Sequence, residues 1–460
     1  MIGFKDGDLC IRGKPPPESL HRDAGPRPAA VREPVLDDHV PTLRPDPGSR
    51  RPTRTKALLL LIFMGTVSVC AAEPAQPPTP FGRAYLPAST DQVLQLVPSE
   101  SDPAVRQLKL LRAARDREPT SAAANLALAR AYVSFAQQVG DAHYAGYADA
   151  IIAPSIAVLH PRADELVVQA TILQYRHQFA DARRVLQAAL KVDPRNPQAW
   201  MTLATLDMVQ GDYPAAGAGC AHLAGAGGFD LGVACSAALR SFIGHAEQSI
   251  ALLERLETDS AAEPGAFKAW VEGLLAECEE RLGHWPVAES HYRRALALAP
   301  RDNYLRVSYA DFLLDRQRPR EVLALLSDDP NSDTAFLRIA LAEKALGDTN
   351  AARDAWLMAA RFEALSQRGA EFFGREQVRF ALLIQGDANS ALELAERNFK
   401  VQRAPWDIRV LLEAARAADR PEAAGAALRF VAETHLQDPV IEALAVDLRG
   451  RLAAPIAGAR

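Results

Sequence analysis

One spacing constrains this chain more than any other feature. The pattern Leu166, Ala170, Ala182, Ala189, Pro194 restarts at Trp200, 34 residues after Leu166, and continues through Leu203, Ala204, Gly211, Asp212, Tyr213 and Ala216. A repeat of this length holds one helix, a tight turn and a second helix, and such a unit cannot bury its apolar face alone. Copies must therefore stack. Small residues recur where the two helices of a unit must cross closely: Ala170, Ala204, Ala276, Ala310 and Ala340 in the first helix, and Ala182, Ala216, Ala288, Ala352 and Ala391 in the second. Gly211, Gly244, Gly283, Gly347 and Gly386 stand at the turn between them, and Pro119, Pro194 and Pro300 follow second helices and stop them.

This pattern of a large residue, Leu-Ala, a Gly-Asp-aromatic turn, Ala and a closing Pro resembles the tetratricopeptide repeat (TPR). The resemblance spans roughly residues 103–435, with close copies at residues 163–194, 197–224, 266–300 and 303–326 and weaker ones elsewhere. It implies an all-α fold: a right-handed TPR solenoid of about eight antiparallel helix pairs, closed by a C-terminal capping helix at residues 439–452, where Ile441, Leu444 and Leu448 share a face. The later half also looks like uncharacterised exported bacterial TPR proteins. Composition agrees with helices throughout. Hydrophobic residues make up 48% and aromatic residues 7%, with few β-branched runs.

The expected organisation is a disordered leader at 1–49, a signal peptide at 50–72, a Pro-rich linker at 73–101, the solenoid at 102–452 and a tail at 453–460. The leader is rich in Pro, Arg and Asp and shows no apolar period. It is followed by a basic stretch (Arg50, Arg51, Arg54, Lys56), an apolar run at 57–69, and the small residues Cys70, Ala71 and Ala72, in the order of a secretory signal. Thirteen mainly apolar residues are short for about 30 Å of hydrocarbon, so no permanent membrane span is expected. Val69 before Cys70 departs from a lipoprotein signal, and cleavage after Ala71 or Ala72 is preferred. A signal ordinarily begins a chain; either the true start lies further in, or the first residues are a genuine extension. Localisation is read as exported, periplasmic, with a cytoplasmic scaffold carrying an unused hydrophobic stretch as the alternative.

Residues 1–72 hold 11 Lys and Arg against 8 Asp and Glu, which leaves 41 against 49 in the remainder, a net charge of −8. Nothing there recruits nucleic acid. Three cysteines remain beyond Cys10 and Cys70: Cys220, Cys235 and Cys278. Cys220 and Cys235 fall on antiparallel neighbours 15 residues apart. An oxidising compartment permits a disulfide between them; otherwise they are two small buried residues.

No motif for a serine nucleophile, a helical zinc site or attached haem occurs. His284, Glu289 and His291 straddle a turn, unlike the i, i+4 geometry of a helical metal site, and Cys220-Ala221-His222 reads as a small core position beside a solvated His. Pairs such as Glu279-Glu280 point to different faces of a helix. The chain is read as non-catalytic, with no cofactor and no metal.

The TPR resemblance places the working surface on the concave side, lined by the first helix of each pair. Its places read Thr171, Gln174, Tyr175, Met201, Thr205, Met208 and Phe242 in the first half, then Glu277, Glu280, Asp311 and Asp315. An acidic patch beside an apolar stretch suits a protein segment or peptide with basic and apolar residues, with ordinary solvated charge as the alternative. On that reading, exchanging Asp311 and Asp315 for Lys leaves stability nearly unchanged. The Lys and Asn clamp of chaperone-binding repeats is missing at the matching places, which hold Arg130, Thr171, Thr205, Ala238, Glu277, Asp311 and Leu341. The expected function is an exported TPR scaffold that binds another protein, such as an envelope or membrane protein, through this groove. The alternatives are an accessory subunit of an envelope assembly or polysaccharide export machine, and a groove-based enzyme or ligand-binding protein.

Overall fold

The computed structural model describes residues 101–158, 160–259, 265–327, 332–367 and 374–453. The readings made for residues 1–100 (leader, signal peptide, nearly all of the linker) and for the tail beyond 453 lie outside the described residues. Those that are described form helices and no strand. A first helix α1 (Pro103–Arg117) is followed by antiparallel pairs: α2 (Ala122–Val139) with α3 (Ala142–Ile156), α4 (Ala163–Tyr175) with α5 (Phe179–Val192), α6 (Pro197–Gln210) with α7 (Tyr213–Gly225), and α8 (Phe229–Phe242) with α9 (Ala246–Asp259). Then come α10 (Gly265–Arg281) with α11 (Trp285–Leu298), α12 (Asn303–Asp315) with α13 (Pro319–Leu326), and α14 (Asp333–Leu346) with α15 (Ala351–Gln367). The last pairs are α16 (Arg375–Arg379), continued by a π-helical turn (Phe380–Gln385), with α17 (Ala388–Phe399), and α18 (Pro405–Ala417) with α19 (Gly425–Thr434). Helix α20 (Pro439–Ala453) closes the array, burying Ile441, Leu444, Ala445 and Leu448 in the core of the last pairs. Counted over the described residues, this makes nine pairs against the eight or so expected.

Local chemistry explains where the helices begin and end. The side chains of Asp102, Ser121, Asp141, Asn196, Asp212, Asp302, Ser332 and Asp387 each accept a hydrogen bond from a backbone N–H of the first turn that follows, supplying the acceptor that a helix N-terminus lacks. The apolar core is divided along the chain. One cluster around Leu128, Phe135 and Ile152 serves the first pair, and others follow pair by pair, as expected where each unit touches its neighbours.

The crossing positions are fully buried. Ala170, Ala204, Ala276, Ala310 and Ala340 have no exposed surface, and neither do Ala182, Ala216, Ala288 and Ala391. Ala352 is the exception and a correction: it is exposed. The other second-helix crossing residues stand three places after the first residue of their helix, and in α15 that place belongs to Asp354, which is 3% exposed. Its carboxyl meets that of Glu343, which burial and this neighbour push up to about 7. Cys220 on α7 and Cys235 on α8 are joined in a disulfide, while Cys278 is a buried free thiol.

The array curls far enough for distant pairs to meet. Asp102, before α1, accepts a hydrogen bond from Arg301, before α12. Gly140, at the end of α2, lies so close to Ser332 and Asn303 that a Cβ there would stand 2.5 Å from the Ser332 hydroxyl oxygen. Farther along, the Arg403 N–H donates to the Val209 carbonyl at 2.7 Å, and Phe430 of α19 covers Gly211 and Tyr213. Gly211 has φ +77°, and a Cβ on it would come within 2.8 Å of the Phe430 ring, so both backbone conformation and contact require glycine.

Within the α6–α7 pair, Ala204 faces Gly219, where even an added methyl carbon would lie 2.9 Å from the Ala204 Cβ and 3.2 Å from its Cα. Ala204→Leu is therefore expected to overpack this crossing and cost roughly 1–3 kcal/mol. A chemical-denaturation curve with an unchanged midpoint would contradict the assigned repeat phase.

Candidate functional site

The curl encloses a cavity of about 1900 Å³, walled by the first helices of most pairs and by the segments before α18 and α20. Of the expected groove residues, Gln174, Tyr175, Thr205, Met208, Phe242, Glu277, Glu280, Asp311 and Asp315 line it. Thr171 and Met201 do not. The Thr171 hydroxyl turns back to donate to the Val167 carbonyl at 2.9 Å, and Met201 is 4% exposed, packed with Ala204 and Tyr213 in the core.

The acidic places do not form a free patch, which corrects the sequence reading. Asp311 accepts from Arg338 Nε at 2.9 Å and Nη2 at 2.7 Å, and from Arg379 Nη1 at 2.7 Å. Arg338 also donates to Glu376, and Arg375 Nε reaches Glu376 at 3.3 Å. This network ties α12, α14 and α16 together; Arg338 has no exposed surface and Asp311 is 4% exposed. Although burial alone would raise its pKa, the two guanidinium groups hold the Asp311 carboxyl well below the usual carboxylate range. Asp315 takes a bidentate pair from Arg409 at 2.6 and 2.7 Å, and the Arg409 guanidinium lies 4.2 Å from the centre of the Trp406 ring.

Glu277 and Glu280 differ from these. Glu277 is met by Arg281 at only 3.5 Å and accepts a hydrogen bond from the Tyr304 hydroxyl. Glu280 accepts one from the Tyr292 hydroxyl and forms no ion pair among the described residues. Although Glu280 lines the cavity, burial of its carboxyl pushes it up to about 8 despite the tyrosine bond. His177, two residues past α4 with φ +58°, is lowered to about 4 by burial, against a side-chain hydrogen bond with Gln402.

Sequence reasoning missed Arg281, Arg375, Trp406, Asp407 and the tyrosines at 292 and 304 as cavity residues. Tyr292 lies on a second helix, and residues 401–409 belong to pairs far along the chain; no position within one repeat signals that they meet the first half. The histidines considered as metal ligands are otherwise engaged: His284 Nδ1 lies 2.7 Å from Glu279, and His291 Nδ1 lies 2.7 Å from Glu272. Among the described residues no group of His, Cys, Asp and Glu is placed to hold a metal ion, and no helix is long and apolar enough to cross a membrane.

Comparison with known proteins places this geometry. A family model described as tetratricopeptide repeat matches residues 174–227, the stretch from the last turn of α4 through α7. The repeat read from the sequence is therefore shown, and arrays of this kind are generally non-catalytic scaffolds for protein–protein interaction. No curated protein matches the chain. Among solved structures it is similar to the APC/C hetero-tetramer Cut9-Hcn1, with 12% identity, TM-score 0.38 and coverage of 75% of this chain but 52% of that one, about half its length. It is also similar to the human IFIT1 dimer with PPP-AAAA (12% identity, TM-score 0.42, 71% and 78% covered). A Rap protein complexed with competence and sporulation factor shows 11% identity and TM-score 0.44, with 76% and 94% covered. Likenesses at these levels carry no argument about partner.

Two outcomes are expected. Asp311→Asn leaves the buried Arg338 and Arg379 short of a counter-charge and is expected to cost about 3–5 kcal/mol by denaturant unfolding; the expectation that Asp311 and Asp315 can be exchanged for Lys without loss is overturned by the same contacts. Glu280 works in the opposite sense. Its folded pKa lies above the unfolded value of 4.5, so the native state binds the extra proton and loses stability as pH rises from about 5 to about 8. Stability of Glu280→Gln relative to wild type should increase across that window. A difference independent of pH would show that Glu280 is ionised in the fold.

Proposed function

We propose that this TPR array is an exported, periplasmic scaffold that binds another protein without catalysis, taking an extended segment of it into the enclosed concave face. The observation that carries the reading is the cavity itself. Nine residues placed on the concave side by the repeat pattern converge on about 1900 Å³ of space, more than a drug-sized ligand ordinarily requires and suited to a stretch of polypeptide. Its first half is neutral and amphipathic (Gln174, Tyr175, Thr205, Met208, Phe242), a surface that holds a chain by apolar contact and backbone hydrogen bonds.

Export rests on the order of basic region, apolar run and small residues at 50–72, and is supported by the disulfide between Cys220 and Cys235, a bond that persists in oxidising compartments. A partner in the envelope follows from that location, and service as an accessory subunit of an envelope assembly is the more specific form of the same reading.

Affinity purification of the C-terminally tagged full gene product, with mass spectrometry of its N-terminus and its companions, tests both parts. The expected result is a chain beginning at Ala72 or Glu73 with a recurrent envelope protein. An intact leader with only cytoplasmic companions would overturn export, and a chain recovered with no recurrent companion would count against the scaffold.

A further inference from the structure

The cavity wall is unbalanced in charge and incomplete in its hydrogen bonds. Eleven carboxylates line it against seven guanidinium groups. Much of this is settled behind the wall, because Arg338 and Arg379 neutralise Asp311 and Arg409 holds Asp315. Two of the remaining carboxyls, Glu277 and Glu280, stand together on α10. Glu277 and Glu280 are three residues apart and so share one side of the helix, each partly open to the cavity and each tied to a tyrosine hydroxyl. The cation beside them does not satisfy both. The Arg281 side chain is 9% exposed, its guanidinium lies 4.8 Å from the centre of the Phe242 ring, and its Nε and Nη1 have no hydrogen-bond partner.

A second observation, on α4 in the same cavity, is independent of charge. Gln174 is 8% exposed, lines the cavity, and its amide makes no hydrogen bond among the described residues. The amide opens to the cavity and is not sealed in the core, and a primary amide offers the donor and the acceptor that a peptide bond requires.

We infer that Glu277 and Glu280 form a pocket for a lysine or arginine side chain of an extended peptide, whose backbone is held by Gln174. The assignment rests on the reading of the interior as a protein-binding surface and narrows it: the recognition charge lies at α10, since Asp311 and Asp315 are already paired. The groups facing Glu280 are Glu277 and Arg281 on its own helix, Tyr292 on α11 and Asp315 on α12; Tyr304 adjoins Glu277, and Asp438 adjoins Arg281. A cation entering among them favours the ionised form of Glu280, whose proton is released to solvent. Binding of a basic peptide therefore tightens as pH rises toward about 8.

Fluorescent dodecamer peptide pools, randomised except for a central Lys, Gln or Glu, test the pocket by anisotropy with the full chain between pH 6 and 8.5. The Lys pool should bind tightest, with affinity rising by up to about tenfold per pH unit below pH 8. Glu280→Gln keeps an acceptor for Tyr292 and preserves the fold; it should flatten that rise and bring the Lys pool to the level of the Gln pool. Equal binding of the three pools would overturn the pocket while leaving the interior as a peptide surface. Binding of none, by protein with an unchanged melting curve, would overturn that reading and the pocket with it.

Discussion

The structure depends on how closely two helices can cross. In each regular unit an alanine on either helix is fully buried at the crossing place, and at Ala204 and Gly219 there is no room for one more carbon without a shift. Close crossings bring the backbones together, leave a narrow wedge between successive pairs, and repeat it with small rotation, so curvature accumulates along the array. Here enough accumulates for α1 and α2 to meet the region of α12 and α14, and for α19 to lie on the α6–α7 turn. A surface that would be an open groove in a shorter array becomes the wall of a cavity.

That closure changes the chemistry of the wall. In an open groove Asp315 would be free to attract a basic partner, whereas Asp311 already meets Arg338 of the next pair. Later pairs add Arg379 to Asp311 and Arg409 to Asp315, and the two aspartates become structural. Glu280 receives a tyrosine instead of a cation and holds its proton to about pH 8. Residues of the same chemical type, on equivalent helices of neighbouring repeats, thus end with opposite shifts. The Coulomb attraction of a buried guanidinium outweighs desolvation in one case, and desolvation prevails in the other.

The crossing residues were legible in the sequence because their requirement is local and periodic: a small side chain at a fixed offset. The groove places were legible for the same reason, since helix geometry alone decides which face of a first helix points inward, and nine of the eleven do line the cavity. Met201 departs because it faces the crossing at Ala204 and Tyr213. Ala352 departs because its helix begins so that Asp354 takes the crossing place, and a shifted helix start moves every residue after it to another face.

What the sequence by itself determined is therefore the repeat: helical pairs, their turns, their small crossing residues and the inward face of each first helix, all set by contacts within one unit or between neighbours. What only the tertiary structure decided is who stands opposite whom. The pairing of Asp315 with Arg409, 94 residues away, and of Asp311 with Arg379, 68 residues away, follows from curvature summed over several units. Such a sum depends on small rotations at every junction, and no single repeat encodes it.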